Sequence, residues 1–325
     1  MNRVEIREKH LNDGICFIEF KLTEKFSITF SNLGGSIVEI KFADKFNTLE
    51  PITLMPAYPL SWISHRTFAG SIIGPLAGRY DPKDTILEKN RGALHFHGGT
   101  NGYDRQLWQY NIVQTEDQAA IIFSLLDQEN DLSTQVTYTL TAHCCLSMEI
   151  VGKTSCEALF NPTNHLYFNL NGDPFQTVEN HTLYLNAAAY FQENEQKLLT
   201  TQTPILAGSQ LDFSAVVGKT LQGLKEFAGL DTTFLFGDKR EGCIIQPENG
   251  RGVHISTTLP AVVIFTFNSE QPLFNKDGRS FPNYAGITFE TQYPANNLNQ
   301  CRITKEQPYY SKTDFTFFLT DDKAK

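Results

Sequence analysis

Three short segments of this chain concentrate groups that can move protons. Ala93-Leu94-His95-Phe96-His97-Gly98-Gly99 carries a His-x-His pair. On a strand, alternate residues share a face, so both rings would sit side by side, as in some metal sites. One structural and one exposed histidine would fit the spacing equally. The stretch from Asn161 to Gly172 sets His165 among four asparagines in an otherwise β-favouring run. Strand interiors disfavour asparagine, and an imidazole titrates near neutrality, so His165 reads either as a poised acid or base or as a satisfied core histidine. In Gly286-Ile287-Thr288-Phe289-Glu290-Thr291-Gln292, Glu290 follows an apolar strand. Burial there would raise its pKa and suit it to general-base work, whereas a strand-end glutamate would be exposed. Arg79 lies in a turn and Asp231 precedes a strand, where solvation and turn-capping are the ordinary roles.

The elements that must position these groups are strands. Phe26, Ile28 and Phe30 alternate with polar residues, and Asn32-Leu33-Gly34-Gly35 turns the chain into Val38, Ile40 and Phe42, a hairpin pattern. Similar alternation recurs at Val136 to Leu140, Leu146 to Ile150, Leu183 to Leu185, Val253 to Ile255, Val262 to Phe267 and Phe315 to Leu319. Only Thr220 to Phe227 suggests two helical turns. Strands with regular turn punctuation predict an all-β fold, a large antiparallel β-sandwich or barrel. The 25 phenylalanines against 3 methionines favour aromatic packing between sheets. We expect residues 1–325 to form a single domain.

Composition narrows the function. A net charge of −9 leaves nothing basic to neutralise phosphates, which argues against a nucleic-acid partner. Six cysteines (Cys16, Cys144, Cys145, Cys156, Cys243, Cys301) show no framework spacing and read as reduced thiols. Met1 to Lys9 lacks an apolar core, and no apolar run approaches the ~20 residues of a spanning helix. A cytoplasmic protein without membrane contact is the expectation. No G-x-S-x-G, P-loop, dinucleotide fingerprint or H-E-x-x-H occurs.

In order, the segments resemble the aldose 1-epimerase (galactose mutarotase) family. The resemblance rests on Gly78-Arg79, His97-Gly98-Gly99 with Gly102-Tyr103-Asp104 and Trp108, and Pro162-Thr163-Asn164-His165-Leu166-Tyr167-Phe168-Asn169-Leu170. Leu211-Asp212-Phe213, Asp231 with Phe234, Pro260 to Asn268 and Phe289-Glu290-Thr291-Gln292 follow. It implies a large antiparallel β-sandwich and a site without metal or cofactor that interconverts the anomers of a free aldose, a hexose or reducing disaccharide. It also implies that His165 protonates the ring oxygen, Glu290 takes the anomeric proton, and His97 assists at the sugar oxygens. Arg79 and Asp231 match positions that hold ring hydroxyls. Opening a hemiacetal requires one group that holds a proton and one that lacks it, and a histidinium with a carboxylate meets that condition.

Three departures from the family pattern bear on specificity. Gly78 stands where many members have asparagine, Val263 where glutamine is common, and Thr232 where histidine usually follows the aspartate. Loss of such side chains weakens discrimination among hydroxyls. The competing readings are a non-catalytic sugar-binding protein, a hexose-6-phosphate 1-epimerase using Arg66, Arg91 or Arg105, and a metal enzyme built on His95, His97 and Glu290. Trp62, Trp108, Phe265 and Tyr293 are the candidate aromatics for stacking on a sugar. The partner is a small sugar, and the chain is expected to be a monomer or homodimer.

Overall fold

Alternating strands need two partners each, and here they find them in two facing antiparallel sheets. A computed structural model describes residues 3–55, 57, 66–83, 87–215, 217–268 and 272–320, so Trp62 lies outside the described residues. One sheet has nine strands, with Arg251–Thr257, Tyr309–Leu319, Cys145–Thr154 and Leu132–Thr141 adjacent at its centre and Gln109–Gln114 at one edge. Opposite it lie five strands in sequence order, Glu5–His10, Cys16–Thr23, Phe26–Ser31, Ser36–Ala43 and Leu49–Pro51. The expected hairpin is present, with Ile28 opposite Ile40 in the ladder. Inward residues of both sheets meet as aromatics: Phe26 packs on Phe317 with centroids 5.0 Å apart, and Phe30 on Tyr138 at 5.3 Å. Edge and tilted ring contacts of this kind add stability beyond the area they bury.

A third sheet has four strands, Ala187–Tyr190, Asp231–Phe236, Ala261–Phe265 and Glu290–Gln292. Helical structure among the described residues is limited to short 3₁₀ turns. The two helical turns expected over 220–227 are one such turn, Leu224–Phe227. Gly223 and Ala228 take left-handed backbone at either end and close it off. Among the described residues, no helix is long and apolar enough to cross a membrane.

One buried cation ties the layers together. Arg251, 1% exposed, donates to the carbonyls of Phe42 at 2.9 Å, Thr48 at 2.8 Å, and Leu170 and Asn171 at 3.2 Å each. A buried acceptor stripped of its donor costs about 1–3 kcal/mol. Arg251→Met should therefore destabilise the fold by roughly 3 kcal/mol or more, read as a lower urea midpoint with an unchanged slope.

Candidate active site

Short ladders bring the three proton-moving segments together. Thr163–Asn164 pairs with Ile72–Ile73, and Tyr167–Phe168 pairs with Ile287–Thr288, which suspends His165 between two ribbons. Its backbone is pinned on both sides: His165 N–H donates to Ser71 and its carbonyl accepts from Gly70 N–H at 2.9 Å. Glu290 belongs to the four-stranded sheet, where Thr233, Val263 and Glu290 stand opposite one another in adjacent strands. Paired residues project from one face, so these three, with Asp231 and Phe265 in the next row, form the floor of a cavity. Arg79–Tyr80 and His95–Phe96 form a further two-stranded ribbon beside it.

Glu290 is 3% exposed and His165 4%, so neither is a solvated strand-end residue. His165 Nε2 lies 3.4 Å from Glu290 Oε1, which also accepts from Thr288 Oγ1 at 3.0 Å. His165 Nδ1 is buried without a hydrogen-bond partner, leaving Nε2 as the nitrogen through which the ring exchanges protons. Burial pushes Glu290 up to about 8, with the Asp231 carboxylate adding to the shift against the lowering effect of Thr288. Burial likewise pulls His165 down to about 4. The expected histidinium–carboxylate pair is thus replaced by a neutral imidazole facing a carboxylic acid. Desolvation penalises both charges. The condition set by the chemistry still holds, because the pair shares one transferable proton across the neutral range.

His97 completes the group. Gly78 N–H donates to its Nδ1 at 3.1 Å, so in the neutral ring Nε2 carries the hydrogen. Burial, then the neighbouring His165 and Arg79, hold its pKa well below the usual histidine range. His97 is therefore a fixed donor. The ring centroids of His97 and His165 lie 5.7 Å apart at 89°, and Phe68 packs edge-on against His97 at 4.8 Å.

The two histidines of the His-x-His pair do not act side by side as a strand would place them. His97 takes positive φ (45°), which breaks the alternation that would have put both rings on one face. His95 instead contacts the Glu88 carbonyl at 2.9 Å through Nδ1. Among the described residues, the ligand-type atoms that lie close to Glu290 belong to His97 and His165, not His95.

The cavity has a volume of 910 Å³, within the usual range for small-molecule sites. Arg79 and Asp231 both line it, joined by a 2.8 Å ion pair, with Glu193 3.8 Å from Arg79. Of the aromatics anticipated for stacking, Phe265 lines the cavity, Trp108 is core against Tyr103, and Tyr293 borders a separate hollow. Phe68, Phe96, Tyr167 and Phe267 also line it, although none of them was among the aromatics expected to stack on a sugar. Gln292 was likewise not singled out from the sequence. It is 1% exposed, lines the cavity and has an Oε1 with no partner.

Comparison with known proteins accords with this geometry. The family profile for aldose 1-epimerase matches residues 17–308. The chain belongs to the aldose 1-epimerase family. As a member it is an isomerase of the mutarotase type. It is 26% identical to human galactose mutarotase over 290 residues, 83% of each chain, and 23% identical to Escherichia coli aldose 1-epimerase over 320 residues, 89% and 91% of the two. In fold it resembles galactose 1-epimerase from Lactobacillus acidophilus (TM-score 0.82, 22% identity, covering 99% and 100% of the two chains). The antiparallel sandwich expected from sequence is the fold observed.

Within this epimerase, two of the family departures acquire structural reasons. Gly78 has φ of +100°, and a Cβ there would lie 2.7 Å from Ala295 Cβ, so asparagine has no room. Its backbone serves His97 instead. Val263 sits directly opposite Glu290 and keeps the carboxyl beside an apolar neighbour. Nothing in the structure explains Thr232.

Proposed function

We propose that this epimerase interconverts α and β anomers of a neutral aldose, a free hexose or reducing disaccharide, by proton exchange through Glu290 and His165. The observation that carries the reading is the buried 3.4 Å contact between His165 Nε2 and Glu290 Oε1 in the wall of the cavity. Sugar hydroxyls donating to Glu290 favour its carboxylate form, and its proton passes to His165 Nε2. Glu290 then takes the anomeric hydroxyl proton while His165 protonates the ring oxygen as the ring C1–O bond breaks and a C1 carbonyl forms. Rotation about C1–C2 presents the other carbonyl face, and reclosure returns both protons. The balance closes with protons alone, so no cofactor enters. His97 Nε2–H steadies a sugar oxygen, Arg79 and Asp231 hold ring hydroxyls, and Gln292 Oε1 accepts from another.

The cavity's cations favour a neutral sugar over a phosphorylated one. Arg66 pairs with Asp104 at 3.3 Å, Arg79 with Asp231 at 2.8 Å and Lys197 with Glu193 at 3.3 Å. Arg91 is stacked 4.4 Å from the Phe96 ring, and Arg105 is not among the residues lining the cavity. A phosphate would have to displace these carboxylates. We read the chain as one cytoplasmic domain acting on a diffusible sugar.

Polarimetry on freshly dissolved α-glucose, α-galactose, α-maltose and glucose 6-phosphate tests this. Acceleration over buffer is expected for at least one neutral sugar, with kcat/KM at least about tenfold above that for the phosphate, the ratio that ~1.4 kcal/mol of preference gives. Binding measured by calorimetry with no acceleration would establish a non-catalytic sugar receptor instead.

A further inference from the structure

The N-terminal hairpin departs from its own alternation. In strand Glu5–His10, the residues opposite Phe20, Ile18 and Cys16 are Ile6, Glu8 and His10. Partners across an antiparallel ladder project from one face, and here that face sends Phe20, Ile18 and Cys16 into the core. The pattern asks for hydrophobes at positions 8 and 10. The chain supplies a carboxylate and an imidazole beside a buried thiol.

The ligand-type atoms of Glu8, His10 and Cys16 all lie within 4.8 Å of one another. A fourth donor, an oxygen, arrives from the facing sheet, on strand Gln109–Gln114. The Tyr110 hydroxyl donates to Glu8 at 2.6 Å and lies 3.3 Å from Cys16 Sγ. Glu8 and His10 are exposed while Cys16 is buried, so the group opens to solvent on one side. None of the four lines the catalytic cavity.

We propose that Glu8, His10 and Cys16, with Tyr110 as the fourth donor, bind a divalent late-transition ion of the zinc type at the margin between the two sheets. One thiolate, one imidazole and oxygen donors suit zinc and disfavour calcium or magnesium, which take oxygen ligands. Bond lengths of about 2.3 Å to sulfur and 2.0–2.1 Å to nitrogen put tetrahedral ligand atoms about 3.4–3.7 Å apart. Rotation of the exposed Glu8 and His10 side chains can close the remaining distance, with Glu8 binding through one carboxylate oxygen while the other keeps the 2.6 Å bond from Tyr110. Binding transfers the Cys16 thiol proton to solvent and forms the metal–sulfur bond, with no change of oxidation state. Because Tyr110 belongs to the other sheet, the ion would join the two layers where the hairpin meets the sandwich edge.

The test is a titration of the metal-free full chain with Co²⁺, followed by competition with Zn²⁺. One equivalent is expected to give a thiolate-to-cobalt charge-transfer band that Zn²⁺ abolishes. Among the described residues, no other cysteine joins such a group, and the His97, His165 and Glu290 group contains no thiol, so the band reports Cys16. Cys16→Ser should remove the band. His10→Ala and Glu8→Gln should weaken affinity at least as much as the ~10–100-fold cost of disturbing a metal's outer shell. His10 is exposed, so its variant keeps the test open should Cys16→Ser fail to fold. A wild-type titration without the band, a band that survives Cys16→Ser, or unchanged affinity in His10→Ala would overturn the site.

Discussion

Glu290→Gln is expected to lower kcat for anomer interconversion by about 10²–10⁴-fold, the range for one acid–base group, while the protein still folds and binds sugar. Glutamine keeps the size of the side chain and an oxygen that can accept the 3.0 Å bond from Thr288 Oγ1. What it loses is the exchangeable proton. The fold should tolerate the change because the buried carboxyl is already held in its neutral form by desolvation, its pKa raised to about 8. Polarimetric kcat with calorimetric sugar affinity separates the two effects. A fall in kcat at preserved affinity is the expected result, since the lost interaction is one made in the transition state.

His165→Gln is expected to have an effect of similar size, and the double variant little more than either single. Residues that act as a unit lose their joint contribution when one is removed, so their effects are not additive. The 3.4 Å Nε2–Oε1 contact makes His165 and Glu290 such a unit. Arg79→Met should behave differently. Arg79 is 2.8 Å from Asp231, and in the proposed mechanism it exchanges no proton, so its loss should raise KM more than it lowers kcat. Comparable kcat losses for Arg79 and His165 would mean that the two do not have separate roles.

The large sheets were legible in the sequence because their strands are long and two-faced. Leu132–Thr141 and Cys145–Thr154 each run ten residues with alternating burial, which is the period-2 signal itself. The strands that build the site are too short to show a period. Thr163–Asn164, Tyr167–Phe168 and Ile287–Thr288 have two residues each, and their placement depends on ladders between distant segments. Residue chemistry and the family resemblance identified His97, His165, Glu290, Arg79 and Asp231, and the structure gathers all five around one cavity.

What escaped the sequence was environment. The burial of Glu290 depends on Val263 opposite it, and the Arg79–Asp231 ion pair joins positions 152 apart. No local pattern encodes either. The positive φ at His97 is what separates the two histidines of the His-x-His pair, and a strand-based reading assumes it away. Which member of the His165–Glu290 pair holds the proton differs from expectation for the same reason. Ordinary pKa values suggest histidinium and carboxylate, whereas desolvation in this cavity selects the neutral forms.

The pH dependence of kcat/KM tests the central claim most directly, because it reports the free enzyme's acid and base. The pair holds one transferable proton only above the lower pKa, about 4, where His165 gives up its own, and below the upper, about 8, where Glu290 does. The two values belong to the pair as a unit. The rate should therefore stay near its plateau across the neutral range and fall on both sides. The alkaline fall should be absent from the residual activity of Glu290→Gln. A profile that Glu290→Gln leaves unchanged in height and shape would contradict the account.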